Sequence, residues 1–415
     1  MKKIYTSVDI GSDTIKVVVC ELFKNRLNLL AATSVKSSGI KKGVITDVEK
    51  ASVSLRKAFE EIETMLGVKI KRVIASVPSY FAEYTYAEGT VEIINEEKVI
   101  TGDDVIRCLH EGIKTKVKSN YEIITVIPID FSIDGQEPVK NPKGLKGNSL
   151  SSRMILVTTP KKNVYSVVNL IESIGVSVED ISLNNIGDIY IYKNSNTESK
   201  LGVIINIGSE ITTVSLYNKN IIVKSSIIGL GGKNVDNDLA YIYKISNEQA
   251  TRIKEKFALG HKRYASLNDF YEVATKNKEV ISINQFEASE IVMSRLEEIL
   301  TLAKKEINLL TNKKIHYIII TGGMSNMAHL KYTVDDVFGK VATIGSIKVI
   351  GVRDNKYSSA LGNIVYFIDK LKMRQKEYSM FSKEDAEEIS SVKKGLLNIT
   401  NDSMLGKVFG YFWSD

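Results

Sequence analysis

The sequence predicts an α/β protein made of two like lobes that face each other across a cleft. Two observations carry this expectation. The first is a pair of similar glycine turns, Asp9-Ile10-Gly11-Ser12-Asp13-Thr14 and Asn206-Ile207-Gly208-Ser209-Glu210-Ile211, set about half a chain apart. The second is a later turn, Thr321-Gly322-Gly323-Met324. Each turn follows a β-rich apolar stretch, Tyr5 to Ile10, Leu201 to Ile207 and Ile315 to Ile320. The first two lead straight into another such stretch, Ile15 to Cys20 and Thr212 to Tyr217, and so read as hairpins. A Rossmann or P-loop turn would lead into a helix instead, and neither GxGxxG nor GxxxxGK[ST] occurs in the chain.

In chain order, Tyr5 to Cys20 and Leu27 to Ala32 are the opening strands, and Val48 to Leu66 is a helix with Val53, Ala58, Ile62 and Leu66 near one face. Arg72 to Val77 adds a strand. The more polar region from Phe81 to Pro160, with a helix around Asp103 to Lys116, interrupts a lobe whose helical pattern resumes at Val164 to Ile174, so it reads as an inserted subdomain. After the polar stretch Lys193 to Lys200 come the second hairpin, Gly229 to Gly232 and a mostly helical region to Thr311. Its last helix carries Leu296, Ile299, Leu300, Ala303, Ile307 and Leu310 as an apolar stripe. These readings give a first lobe of 1–80, 161–195 and 353–372 with an insert at 81–160. The second lobe takes 196–232 and 315–352, with a helical subdomain at 233–314. A linker at 373–400 and an amphipathic helix at 401–415 complete the chain.

With 415 residues, 43% hydrophobic and 25% charged, the chain is long enough for two or more cores and lacks the composition of a disordered protein. Its net charge of +7 is modest, and its lysines and arginines are interspersed with Asp and Glu, which argues against a nucleic-acid surface. Two cysteines, Cys20 and Cys108, and a start that passes from Met1-Lys2-Lys3 into a β-type run broken by Asp9 predict a cytosolic chain with free thiols. His110, His261, His316 and His329 lack metal-site spacing, so no transition metal is expected.

Glycine in such turns lets backbone N–H groups meet a phosphate that a Cβ would block. Gly11, Ser12 and Asp13 in the first turn and Gly208, Ser209 and Glu210 in the second are therefore the candidate phosphate contacts, with Lys16 as a point charge. Asp9, with Asn206 as its counterpart in the second motif, is the candidate for holding Mg2+ through water. Gly322, Gly323 and Met324 form a flat slot suited to adenosine.

These motifs resemble the phosphate and adenosine motifs of the actin superfamily. Arg252-Ile253-Lys254-Glu255-Lys256 is similar to its ribose and base segment, which implies contacts from Lys254 and Glu255. Arg353-Asp354-Asn355-Lys356-Tyr357-Ser358 is similar to the late segment whose lysine, here Lys356, lies by the adenine. Within the superfamily the chain is identified as a member of the bacterial cell-division FtsA family. Val126-Ile127-Pro128-Ile129-Asp130-Phe131 with Asn141-Pro142-Lys143-Gly144-Leu145-Lys146-Gly147 looks like the family's insert, and Gly351-Val352-Arg353 through Ala360-Leu361-Gly362 also matches. The resemblance covers nearly the whole chain. It implies an actin-like two-lobed fold with duplicated sheet domains, an FtsA-type inserted subdomain and a C-terminal amphipathic helix. It further implies an ATP-binding, filament-forming adaptor that tethers the C-terminal tail of FtsZ to the cytoplasmic face of the cell membrane at the division site, and recruits later division proteins. The FtsZ tail is implied to dock around Val235 to Lys314. The chain departs from the family where the second phosphate motif has Asn206 instead of Asp and continues as Gly208-Ser209-Glu210, and where Thr251 replaces an acid. These changes imply at most a very weak ATPase, with no catalytic base identified.

Three rivals share the nucleotide turns. An actin-fold small-molecule kinase needs a second substrate pocket and a base carboxylate, for which no motif is present. A chaperone ATPase needs a further domain, for which the roughly forty residues after Leu371 are too few. A pilus-assembly adaptor lacks the terminal helix. In that helix Met404, Leu405, Val408, Phe409, Phe412 and Trp413 share one arc, and Trp413 is the only tryptophan. The segment is too short to span a bilayer and suits the interface with anionic lipid, the alternative being that it docks on the protein's own core.

Overall fold

The computed structural model describes residues 3–374 and 376–389. Runs of Val and Ile broken by short polar turns give three successive antiparallel strands, β1 (Lys3–Ile10), β2 (Thr14–Phe23) and β3 (Arg26–Lys36). A small hairpin of β4 (Ile40–Lys41) and β5 (Val44–Ile45) follows. Helix α1 (Val48–Leu66) starts where the Asp47 side chain accepts from the Lys50 N–H at 3.1 Å, and stops at Gly67, whose φ of 76° a glycine takes without strain. It buries Leu55, Ala58, Phe59, Ile62 and Leu66. Val53, expected on that face, is 68% exposed: it lies five positions before Ala58, about 140° around the helix. Strand β6 (Arg72–Val77) then pairs parallel to β1.

The insert forms its own antiparallel sheet of β7 (Glu83–Glu92), β8 (Tyr121–Ile133) and β9 (Ser149–Pro160), with β9 central. Between β7 and β8 runs α2 (Gly102–Ile113), opened by a Thr101–Asp104 capping box. The chain returns through α3 (Lys161–Glu172) and β10 (Ser177–Leu183) to α4 (Asn184–Tyr192). The first sheet thus has the order β10-β6-β1-β2-β3.

The second lobe repeats this plan. Strands β11 (Leu201–Ile207), β12 (Thr212–Asn218) and β13 (Ile221–Ile228) are antiparallel neighbours. Next come α5 (Gly232–Tyr243), α6 (Asn247–Lys256), a hairpin of β14 (Phe270–Ala274) and β15 (Val280–Asn284), and α7 (Gln285–Leu310). Strand β16 (Tyr317–Thr321) lies parallel to β11, and after α8 (Leu330–Phe338) strand β17 (Ala342–Ile344) lies parallel to β16. The order β13-β12-β11-β16-β17 matches the first sheet strand for strand, in direction as well as position. The α7 stripe of Leu296, Ile299, Leu300, Ala303 and Ile307 is buried in this lobe's core. The region read as mostly helical also holds the β14–β15 hairpin, whose Val273 and Ile283 alternate into the same core.

Helix α9 (Ser358–Met373) brings the chain back to the first lobe, where Asn363 donates to Ser76 of β6 at 2.6 Å and Lys370 pairs with Asp180 of β10. Helices α4 and α9 therefore precede and follow the two crossings between lobes, respectively, and they pack on each other through Gly187 and Gly362. A Cβ on Gly362 would overlap the Gly187 carbonyl.

Residues 376–389 differ from the linker expected there. The pairing of β1 with β6 begins only at Ser7, which leaves Lys3 to Thr6 with an open edge. That edge is covered from outside: the Ile4 N–H donates to Ser379 Oγ at 3.1 Å and the Met380 N–H to the Ile4 carbonyl at 2.9 Å. Met380, Phe381 and Ile389 are buried in the first core. Their irregular spacing carries no helical or strand period, so the sequence gives no sign of the docking.

Replacing a helical glycine with alanine ordinarily gains about 1 kcal/mol. At Gly362 overlap with the facing helix outweighs this, and Gly362→Ala is expected to destabilise the protein by about 2 kcal/mol in urea denaturation.

Candidate functional site

Both hairpin turns lie where the lobes meet, each bonded to the Lys42–Gly43 turn, and they are built alike. The Gly11 N–H donates to the Thr14 carbonyl at 3.1 Å, and the Gly208 N–H to the Ile211 carbonyl at 3.0 Å. These bonds close the turns, so the two glycine N–H groups are engaged inside them and are not the free donors expected. Among the described residues no acceptor meets the N–H groups of Ser12, Asp13, Ser209 or Glu210. Two adjacent unengaged N–H groups on each turn suit an anion with several oxygens. The second turn is held in place by α5, whose Gly232 and Lys233 N–H groups donate to the Gly208 and Ser209 carbonyls at 2.9 and 2.7 Å.

Cross-strand pairing puts Lys16 opposite Asp9, and the Lys16 ammonium lies 3.0 Å from Asp9 Oδ2. The other Asp9 oxygen accepts from Asn184 Nδ2 at 2.9 Å. Asp9 and Lys16 are thus brought together beside the first turn, where a cation and an anion are each within reach of an opposite charge. Asp13 pairs with Lys36 at the rim. Glu210 Oε1 accepts from Lys233 Nζ at 2.8 Å, and Oε2 from the Lys42 N–H at 2.5 Å. Burial pushes its pKa up, but Lys233 and the Lys42 N–H outweigh that and hold it below the usual range.

The base of the cleft is a buried polar knot that the motif reading missed. Asp188, on α4, accepts from Asn206 Nδ2 at 2.8 Å and from the hydroxyls of Ser358 and Ser359 at 2.7 and 2.9 Å. Asn206 belongs to the second lobe, and the two serines open α9, whose N-terminus favours a carboxylate. A carboxylate therefore lies beside Asn206, carried by a different element. Burial pushes the Asp188 pKa from 3.8 to about 6, against the lowering effect of its three donors. A period-3.6 reading of α4 treats Asp188 as one polar residue in a short apolar helix, and no spacing rule ties it to Asn206.

The two glycines of the third turn have different jobs. Gly322 has φ 88°, and a Cβ there would lie 2.6 Å from the Ile207 carbonyl, so it shapes the turn against β11. A Cβ on Gly323 would meet nothing within 4 Å. That open face is what a flat ring system needs. Met324 is buried against Gly232 and does not line the open face. Lys254 is buried too, with its ammonium 2.8 and 2.9 Å from the two oxygens of Asp236. Glu255 is exposed and acts electrostatically on Lys356, which pairs with Asp354 at 3.0 Å. Met404, Leu405, Val408, Phe409, Phe412 and Trp413 lie outside the described residues.

Comparisons with known proteins add the following. A family model described as cell division protein FtsA matches residues 203–362, and one described as the SHS2 domain inserted in FtsA matches residues 83–158. The chain is 30% identical over 393 residues to the cell division protein FtsA of Bacillus subtilis, covering 92% of this chain and 88% of that one. It is 24% identical to the FtsA of Streptococcus pneumoniae, covering 86% and 78%. Among solved structures, a PilM–PilN type IV pilus biogenesis complex matches with TM-score 0.58 at 12% identity, covering 87% of this chain and 98% of that one. MreB5 of Spiroplasma citri bound to ADP matches with TM-score 0.52 at 13% identity, covering 90% and 99%. At these identities the structural matches speak to the fold, which is the actin-like two-lobed α/β fold with an inserted SHS2 subdomain.

The raised pKa of Asp188 gives a stability prediction. The native state holds this proton up to about pH 6 and the unfolded chain loses it near 3.8, so the carboxylate's contribution to stability falls as pH rises through that window. Fully ionised it costs about 3 kcal/mol. Asp188→Asn, with the Asn206 amide turned to match, removes the cost. Its melting temperature relative to wild type is expected to climb from pH 4 to about pH 6 and stay level above, in calorimetry across that range.

Proposed function

The chain belongs to the FtsA family of cell-division proteins, and on that premise we propose that it binds MgATP between its lobes, assembles into filaments and tethers FtsZ to the cytoplasmic face of the cell membrane at the division site. One observation carries the nucleotide part: two topologically identical lobes each aim a glycine turn with two unengaged N–H groups at the same cleft. Ser12, Asp13, Ser209 and Glu210 then supply the phosphate N–H donors, Lys16 and Asp9 supply charge to phosphate and Mg2+, and Gly323 is the floor under the base. The solved MreB5 relatives bound to ADP and AMPPNP share the fold that makes this cleft.

Beside the first turn Asp9 is engaged by Lys16 and Asn184, and the Asp188 carboxylate accepts from three donors. Among the described residues no unengaged carboxylate stands at the cleft base to activate water, which supports slow turnover. Filament growth is head-to-tail through both lobes and the insert, a heterologous contact that propagates instead of closing. The FtsZ tail docks on the subdomain spanning Val235 to Lys314, and later division proteins are recruited by the same assembly.

The membrane contact is assigned to Met404, Leu405, Val408, Phe409, Phe412 and Trp413 on sequence grounds. The docked residues 376–389 support it by fixing where the tail leaves the first lobe. Residues 390–400 then reach at most about 40 Å, so the first lobe faces the lipid. Each copy binds weakly and a polymer binds by avidity.

Gly323→Leu is expected to leave folding intact and remove ATP binding in a titration, whereas Gly322→Ala unfolds at lower temperature because its backbone is strained. On lipid monolayers containing anionic lipid, the full chain with MgATP is expected to form filaments visible by electron microscopy. A chain ending at Lys394 is expected to bind ATP equally well and to lose co-sedimentation with anionic liposomes. A chain ending there that pelleted with liposomes as well as wild type would count against the membrane assignment.

A further inference from the structure

The clearest contact across the mouth of the cleft involves a carboxylate among donors of the kind that hold phosphate. The turn between β4 and β5 is Lys42-Gly43, with φ of 48° and 77°, the left-handed pair of a tight two-residue hairpin. Its two N–H groups diverge to the two lobes: Gly43 donates to Ser12 Oγ at 2.7 Å, and Lys42 donates to Glu210 Oε2 at 2.5 Å. The remaining partners of Glu210 are the Lys233 ammonium at 2.8 Å and the Ser12 hydroxyl. A backbone N–H, an ammonium and a hydroxyl therefore converge on one side chain from both lobes. The Glu210 side chain is 13% exposed while Lys233 is 53% exposed, so the carboxylate is tucked under donors that water still reaches.

We propose that Glu210 is an internal stand-in for a terminal phosphate: it clasps the two lobes together at the Lys42–Gly43 hairpin and must be displaced by the γ-phosphate of a nucleoside triphosphate, but not by a diphosphate. The proposal rests on the nucleotide reading of the cleft. Its chemistry is exchange of one anion for another among the same donors, and no covalent bond changes. A diphosphate stops short of the clasp and leaves it shut, so Glu210 sets the preference between the two nucleotides. This gives the acidic residue in the second turn a positioning role where negative charge otherwise only opposes phosphate.

The test measures MgATP and MgADP affinities of the full chain and of Glu210→Ala and Glu210→Gln, together with hydrogen exchange at the Lys42 amide. Glu210→Ala is expected to tighten ATP by about tenfold and leave ADP within about twofold. Glu210→Gln keeps an acceptor for Lys42 without the charge and gives a smaller gain. Without nucleotide, the Lys42 amide is expected to exchange faster in Glu210→Ala than in wild type, and to regain protection with ATP but not with ADP. Equal shifts in ATP and ADP affinity, or Lys42 exchange indifferent to the substitution, would overturn the proposal. Failure of every form to bind either nucleotide would overturn the nucleotide reading and with it the displacement, while Lys42 exchange would still report whether the clasp itself exists.

Discussion

The relation between the lobes depends on one buried carboxylate. Asp188 sits where the chain leaves the first lobe, and its three partners come from the second lobe and from the helix that leads back. Removing a carboxylate from water costs several kcal/mol unless its lone pairs are met. Here an amide, two hydroxyls and a helix N-terminus offset part of that cost, and burial still raises the pKa to about 6. Loss of any one leaves the charge underbonded, so the two crossings are held in one arrangement. The close approach of α4 and α9 at Gly187 and Gly362 brings the serines within reach. One turn further along the same face of α4 the Tyr192 hydroxyl joins Thr321 and Asn355 at 2.6 and 2.9 Å, which ties the helix to the third turn.

This fixed base sets what the rest of the cleft can do. Duplicated sheets bring two glycine turns to face each other, but the turns have diverged. The first keeps Asp9 and Lys16, a charge pair suited to phosphate and Mg2+. The second has Asn206 at the position matching Asp9, and Asn206 donates to Asp188 as part of the base. Glu210 in the same turn reaches the opposite lobe. Asn206 and Glu210 of the second turn thus both serve contacts between lobes.

Much of the fold was legible because it is written in local signals. The hairpin at Gly11, the helix from Val48 to Leu66 and the strand from Arg72 to Val77 all follow from period and turn chemistry, and so does the interruption by the insert. What was not legible depends on distant partners. Asp188 and Asn206 are joined only in space, and nothing in a short apolar helix marks one acid as a keystone. Met380 and Phe381 dock because β1 outruns β6 by four residues, a property of the sheet and not of the docking segment. Val53 was misplaced for a simpler reason: its neighbours on the buried face lie at 55, 58, 59 and 62, and it falls outside their arc. In the candidate site the turns themselves are legible in the sequence, but which N–H groups remain free, and which of Gly322 and Gly323 is structural, are matters of geometry finer than residue type.

The central claim is that nucleotide lies between the two glycine turns, and a crystal structure of the full chain with Mg2+ and a non-hydrolysable ATP analogue tests it most directly. The account predicts the triphosphate bonded to the N–H groups of Ser12, Asp13, Ser209 and Glu210, with the base over Gly323 and the Glu210 side chain turned away from Lys42. A nucleotide bound outside this cleft, or none at saturating concentration, would contradict it.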